Sequence, residues 1–383
     1  MLRLTLARSC AWTLLLSGWV GMGSLALVLA ASAFGAFALV ALWLLGLGVA
    51  ARVATRDSLR SGLRRTALAL CALLTAASLA WTTRGGGLAA LLLALAAWAG
   101  LTALASGVVR SLRLAQPVRP GPPIGAASLG ALVAALALGD PGDLSSLTLR
   151  LAALVLALAL VLAGLHRGPV RSASPRGCRA GLFDCSLPAW PAGAWQDLRQ
   201  WPTLLAGLAM LPMMAELPLI AAWCRAQAVA PQAMVLLHLG AMFAPTLLLR
   251  RAIGRWSPRV LSAACAACLA LGAVAAVWLA APLNLLGVAL MQGAAWGLAW
   301  AGQLWAPERR GSQGASALRA ALGYALLTLA FGAVVATFGA TGITATHATL
   351  GAAALLSFVF ATRVRRAPRE PEPPEAANPR TPA

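Results

Sequence analysis

Apolar runs of about 20 residues recur from one end of this chain nearly to the other, and no other feature limits its possible folds so sharply. A helix rises about 1.5 Å per residue, so such a run matches the roughly 30 Å hydrocarbon core of a bilayer. Of 383 residues, 60% are hydrophobic and 10% charged, with a mean hydropathy of +0.81. Soluble domains carry about 25% charged residues. The composition therefore excludes a water-soluble enzyme and describes an all-α integral membrane protein.

Twelve spans are read, at about 9–30, 33–50, 66–82, 86–108, 122–139, 149–165, 202–223, 232–249, 260–279, 283–305, 318–339 and 344–362. The first two are almost continuous, and Ala31 to Gly35 supplies the turn between them. Arg3 and Arg8 followed by an apolar stretch also resemble a cleavable signal peptide, but the run is longer than the usual signal core and a second follows at once. Retention as the first membrane helix is the expectation.

The net charge of +20 comes from 30 basic residues, all arginine, and 10 acidic ones. In a membrane protein the informative property is where the arginines fall, because basic loops stay on the cytoplasmic side. With the N-terminus inside, all but three of them (Arg84, Arg150 and Arg225) lie on one face. A miscounted helix would scramble that pattern downstream. Both termini are expected in the cytoplasm, in a cell inner membrane, and no nucleic-acid partner is implied.

The longest polar interval, 166–200, is rich in Arg, Pro, Gly and Ser and separates six spans from six. The expected organisation is a six-helix bundle over 1–165, a cytoplasmic linker over 166–200, a second six-helix bundle over 201–363 and a disordered tail over 364–383. Each half shows a very short first external connection and basic loops after its second and fourth spans, the layout of two pseudo-repeats.

That layout resembles the major facilitator superfamily, whose loops after spans two and eight carry Gly, an Asp-Arg pair and further basic residues. The first copy here reads Arg52-Val-Ala-Thr-Arg56-Asp57-Ser-Leu-Arg60-Ser-Gly62-Leu-Arg64-Arg65, and the second Arg250-Arg251-Ala-Ile-Gly254-Arg255-Trp256. The second copy lacks the Asp, and the first has altered spacing. The resemblance implies a divergent secondary transporter working by alternating access, with Asp57, Arg56, Arg251, Gly254 and Arg255 at a cytoplasmic gate. Otherwise Asp57 merely offsets local positive charge. It also implies that the first, fourth, seventh and tenth helices line a central cavity, which would set Glu216 and Gln292 on facing walls.

Charge inside a bilayer is costly, so intramembrane ionisable groups mark candidate function. Glu216 is the only acidic residue deep within a span, between Pro212 and Pro218. His238, at a similar depth in the eighth span, is the expected partner for a proton-exchanging pair. The bland alternative has Glu216 protonated against a neighbouring helix and His238 satisfying a carbonyl. In the tenth span Gln292, Trp296, Trp300 and Gln303 fall on one helical face, with Gly293 and Gly297 beside it for close helix approach. That stripe suits the wall of a cavity for a neutral, aromatic or cationic solute.

Cys265 and Cys268 form a CxxC inside an apolar run with no His, Asp or Glu near it, and are read as packing residues. No nucleotide, metal or hydrolase motif is present, so no cofactor is expected. The partners are a small-molecule solute and the lipid bilayer. The competing reading is a non-transporting assembly or chaperone factor on the same scaffold, which would add a protein partner.

Overall fold

A computed structural model describes residues 2–30, 32–54, 61–114, 124–138, 143–165, 200–225, 231–253, 255–305 and 314–363. Residues 166–199 of the linker, the tail, Arg56, Asp57 and Gly254 lie outside the described residues. Every element is helical: α1 (Leu2–Ala30), α2 (Ala33–Ala54), α3 (Ser61–Trp81), α4 (Gly87–Leu114), α5 (Ile124–Leu138) and α6 (Leu144–Leu165) precede the linker. After it come α7 (Trp201–Arg225), α8 (Pro231–Leu248), α9 (Pro258–Trp278), α10 (Leu283–Trp305) and α11 (Gly314–Arg363).

The breaks follow local chemistry. Ser32 starts α2 by accepting the Gly35 N–H on its hydroxyl at 3.3 Å and the Ala36 N–H on its carbonyl. Asp143 opens α6, accepting the N–H groups of Ser145 and Ser146 at 3.1 and 3.0 Å. The Ser145 hydroxyl and these two amides hold that exposed carboxyl below its ordinary range, so the cap is intact at neutral pH and is lost as pH falls through this lowered value. Ser257 caps α9 through the Val260 N–H, with Pro258 in the first turn, where its missing N–H costs nothing.

Among the described residues, seven helical stretches are long and apolar enough to cross a membrane, or eight if the bent α7 is counted as one span. Two of them, Leu63–Val109 and Ala321–Arg363, run to 47 and 43 residues, roughly twice what one crossing needs. Each is broken where glycine takes a positive φ, at Gly85 (96°) and Gly87 (52°) in the first and at Gly339 (59°) in the second. α3 and α4 are thus joined by a single widened turn, and α11 consists of two limbs, 314–338 and 340–363. The spans read at 122–139 and 232–249 correspond to the shorter helices α5 and α8, of 15 and 18 residues.

Burial is inverted relative to a protein in water. Leu70, Leu73, Leu136, Leu160, Val277 and Phe338 are exposed on the outside, while serine and threonine hydroxyls turn inward. Thr13, Ser17, Ser24 and Thr102 donate to the carbonyl four residues back, which satisfies them without water. One continuous core joins helices from both sides of the linker, and a smaller cluster fills the space among α7, α9, α10 and α11.

Glycine sets the closest approaches. A Cβ on Gly293 would lie 2.9 Å from the His238 carbonyl oxygen, and one on Gly297 would collide with that of Met242, so α8 and α10 touch backbone to backbone along this edge. A Gly297→Val protein is expected to lose about 1–3 kcal/mol through overpacking. A lower midpoint of thermal unfolding in detergent would register this. An unchanged midpoint would mean that α8 and α10 are not in contact here.

Candidate functional site

Two prolines shape α7 around its carboxylate. Pro212 and Pro218 lie inside the helix and withhold two backbone donors, and the segments Trp201–Met210 and Pro212–Ile220 meet at 44°. Glu216 is fully buried beyond this bend. Its Oε2 lies 2.7 Å from Nε2 of His347, on the second limb of α11. For that contact to be a hydrogen bond, a proton must lie between the two atoms. Glu216 Oε1 and His347 Nδ1 are both buried without a partner.

The expected pairing of Glu216 with His238 is corrected by this geometry. His238 is fully buried on α8, and its Nδ1 donates to the carbonyl of Ala289 on α10 at 2.7 Å. A carbonyl only accepts, so the ring carries its proton on Nδ1 and leaves Nε2 as a bare acceptor without a partner. The glycine edge between α8 and α10 explains the choice: with the backbones this close, His238 meets a carbonyl before it can reach across to α7. Glu216 and His347 thus form a buried pair between α7 and α11, and His238 is held separately between α8 and α10.

The polar and aromatic stripe on α10 differs from its expected role as a cavity wall. Trp296 and Trp300 stack at 5.5 Å with 9° between their planes, and both are 3% exposed. Trp12 of α1 meets them edge-on at 6.5 and 5.5 Å, and Phe243 of α8 does so at 6.0 and 5.7 Å. Trp12 and Phe243 lie 5.9 Å apart, which completes a four-ring cluster. Side chains, not a void, occupy this side of α10, and the cluster joins a helix before the linker to two after it. Each ring pair is worth about 0.5–1.5 kcal/mol beyond its buried area.

Gln292, one turn away, donates from Nε2 to the carbonyl of Ala206 on α7 at 3.3 Å. It therefore braces α10 against α7 ten residues before Glu216, and the two are not brought onto facing walls. Gln303 lies on α10, but its side chain is outside the described residues. Of the expected gate residues, Arg251 occupies a single helical turn, Arg250–Ile253, and Arg255 follows it; both are exposed. The Arg255 N–H donates to the Ala252 carbonyl at 2.9 Å. Cys265 and Cys268 are free thiols, the first buried with its Sγ 3.6 Å from the Ala295 carbonyl, which fits packing.

Three residues of this arrangement went unread in the sequence. His347 is one of only three histidines and sits inside an apolar run, so the cost of burying it was signal enough. Trp12 and Phe243 gave no such signal, because single aromatics in apolar helices are ordinary.

No family model matches the sequence, and no curated protein matches it. Solved structures do resemble it. The nucleoside transporter NupG aligns over 95% of this chain and 99% of its own, with a TM-score of 0.64 and 15% identity. The human organic anion transporter MFSD10 (TETRAN) aligns over 94% and 97%, with a TM-score of 0.53 and 19% identity. A bacterial homolog of the human lysosomal transporter Spinster, in an inward-facing and unoccupied conformation, aligns over 94% of each chain, with a TM-score of 0.52 and 14% identity. The chain shares the fold of these transporters.

Proposed function

We propose that the protein is a secondary transporter of a small solute, built from twelve membrane crossings in two six-helix halves, 1–165 and 201–363, which rock about the seam between them. The count takes the two long broken stretches as two crossings each, the bent α7 as one, and α5 and α8 as short crossings. Both termini and the linker 166–200 lie in the cytoplasm of a cell inner membrane, on the arginine-rich side, and the tail 364–383 extends from it. Glu216 and His347 exchange a proton during the cycle, which makes the carrier proton-coupled.

The observation that carries this reading is the four-ring cluster. Trp12 lies near the arginine-rich end of α1, and Phe243 and Trp300 lie near the matching ends of α8 and α10. Their contact closes the seam on the cytoplasmic side. Toward the opposite face a second contact closes it, where a Cβ on Gly23 of α1 would lie 3.2 Å from Cγ of Pro218. Two closures separated by eleven helical rises on α1, about 16 Å, can open in turn. The neighbouring transporters are named for different solutes, a nucleoside and an organic anion, so they support carriage without fixing a cargo.

Distance measurements test the reading without a known solute. Nitroxides replacing the exposed Leu63 and Val260 report the arginine-rich side, and those replacing Trp81 and Trp278 report the other. Two distance populations are expected on each side, one side lengthening as the other shortens when pH is changed. A single, pH-independent population on both sides would remove alternating access and leave the non-transporting assembly factor as the better reading.

A further inference from the structure

Trp12, Trp19 and Gly23 follow one another along α1 at intervals of seven and four residues, which at 100° per residue confines them to a stripe about 40° wide. Both ends of that stripe touch helices beyond the linker, Trp12 through the ring cluster and Gly23 through Pro218. Trp19 stands between these contacts and faces the same seam. Its indole N–H, on a residue 4% exposed, has no partner.

Two more groups in the same condition lie at a similar depth. Trp43 of α2 covers Gly18, its ring 2.7 Å from where a Cβ would stand, and its N–H is also buried and unpartnered. On α11, Thr328 lies one turn inward of Gly332, the residue against which Phe37 of α2 packs. Trp43 lies six residues inward of Phe37, so the two rises differ by only about 3 Å and bring Thr328 and Trp43 to nearly one depth. The Thr328 hydroxyl is fully buried and unpartnered. Buried donors are almost always satisfied, and three left open at similar depths on helices from both halves need an explanation.

We infer that this mid-membrane seam is the solute site, and that it takes an uncharged planar molecule rich in hydrogen-bond acceptors. The inference rests on the seam being the transport pathway. Indole N–H groups only donate, so the solute must accept. Met214, one turn inward of Pro218 on α7, and the indole rings supply polarizable walls for a flat ring. Gln292 lies between this level and the ring cluster that closes the inner side. Charge is the deciding absence. Among the described residues the acidic groups are Asp143, before α6, and Glu216, which points about 160° away from Pro218 around α7 and is bonded to His347. The described arginines stand toward helix ends. An ion here would be desolvated with no counter-charge, and this narrows the cargo from neutral or cationic to neutral.

The test uses the full chain in nanodiscs and five ring probes: nicotinamide and uracil as neutral compounds, nicotinate and orotate as anions, and 1-methylnicotinamide as a cation. At least one neutral probe is expected to raise the unfolding midpoint, and no charged probe to do so. Trp19→Phe and Thr328→Val should each weaken that binding about three- to tenfold, as expected for one lost hydrogen bond. Trp278→Phe, at an 81% exposed position, should leave it unchanged. The isosteric Thr328→Val keeps the test open if Trp19→Phe folds poorly. Binding of a charged probe, failure of both neutral probes, or neutral binding that ignores both substitutions would overturn the inference. Were the nitroxide pairs still to show two populations, transport would stand and only the solute class would fall.

Discussion

A Glu216→Gln protein is expected to insert normally and exchange solute down its gradient, yet to lose accumulation driven by a pH gradient. Glutamine keeps the size and one hydrogen bond to His347 but cannot take up or release the proton held in the 2.7 Å contact. His347→Ala should behave differently. It strands the carboxyl of a fully buried Glu216 in a dry region, and breaking a buried pair from one side costs about 3–5 kcal/mol. Low yield and a lowered midpoint are therefore expected for His347→Ala, with much of the loss recovered in the Glu216→Gln/His347→Ala double variant. The measurements are proton-driven uptake into vesicles and thermal unfolding of all three proteins. Undiminished pH-driven uptake by Glu216→Gln would end the proposed coupling role. A double variant as damaged as His347→Ala would show that the cost is lost packing and not stranded charge.

Trp12→Ala is the second large effect. It removes the three ring pairs that Trp12 makes across the seam with Phe243, Trp296 and Trp300. At about 0.5–1.5 kcal/mol each, their loss destabilises the inner closure by more than one factor of ten in its equilibrium. The longer Leu63–Val260 nitroxide distance should become dominant at a pH where the unaltered protein shows the shorter one. Trp296 and Trp300 stay stacked on α10, so the helix itself should survive. An unchanged distance distribution would mean that the cluster only packs and does not gate.

The long-range plan of this protein was open to reading because hydrophobic length and arginine placement act over tens of residues. Ser32 and the glycines at 85, 87 and 339 interrupt apolar stretches close to where span-length arithmetic requires a break. Pairing was less legible. On the spans read from the sequence His238 matches the depth of Glu216 more closely than His347 does, and what overrides this is the azimuth of α8, set by Gly293 and Gly297 against its backbone. Those glycines were read as sites of close approach, but the sequence does not say which helix approaches. The stripe on α10 shows the same boundary. Its shared face was recognised from spacing, whereas its occupant, Trp12, lies nearly three hundred residues earlier with nothing local to announce it.

Gly339 is the single residue between the two limbs of α11. The first limb bears on α2 through Gly332 and Phe37, and the second bears His347 only eight residues past the bend. In the proposed cycle a tilt of the first limb as the halves part would swing the imidazole carried by the second. Whether the carboxyl of Glu216 keeps its partner would then depend on the angle of the joint, so mechanical work at the seam and the residence of a proton would be two readings of one hinge.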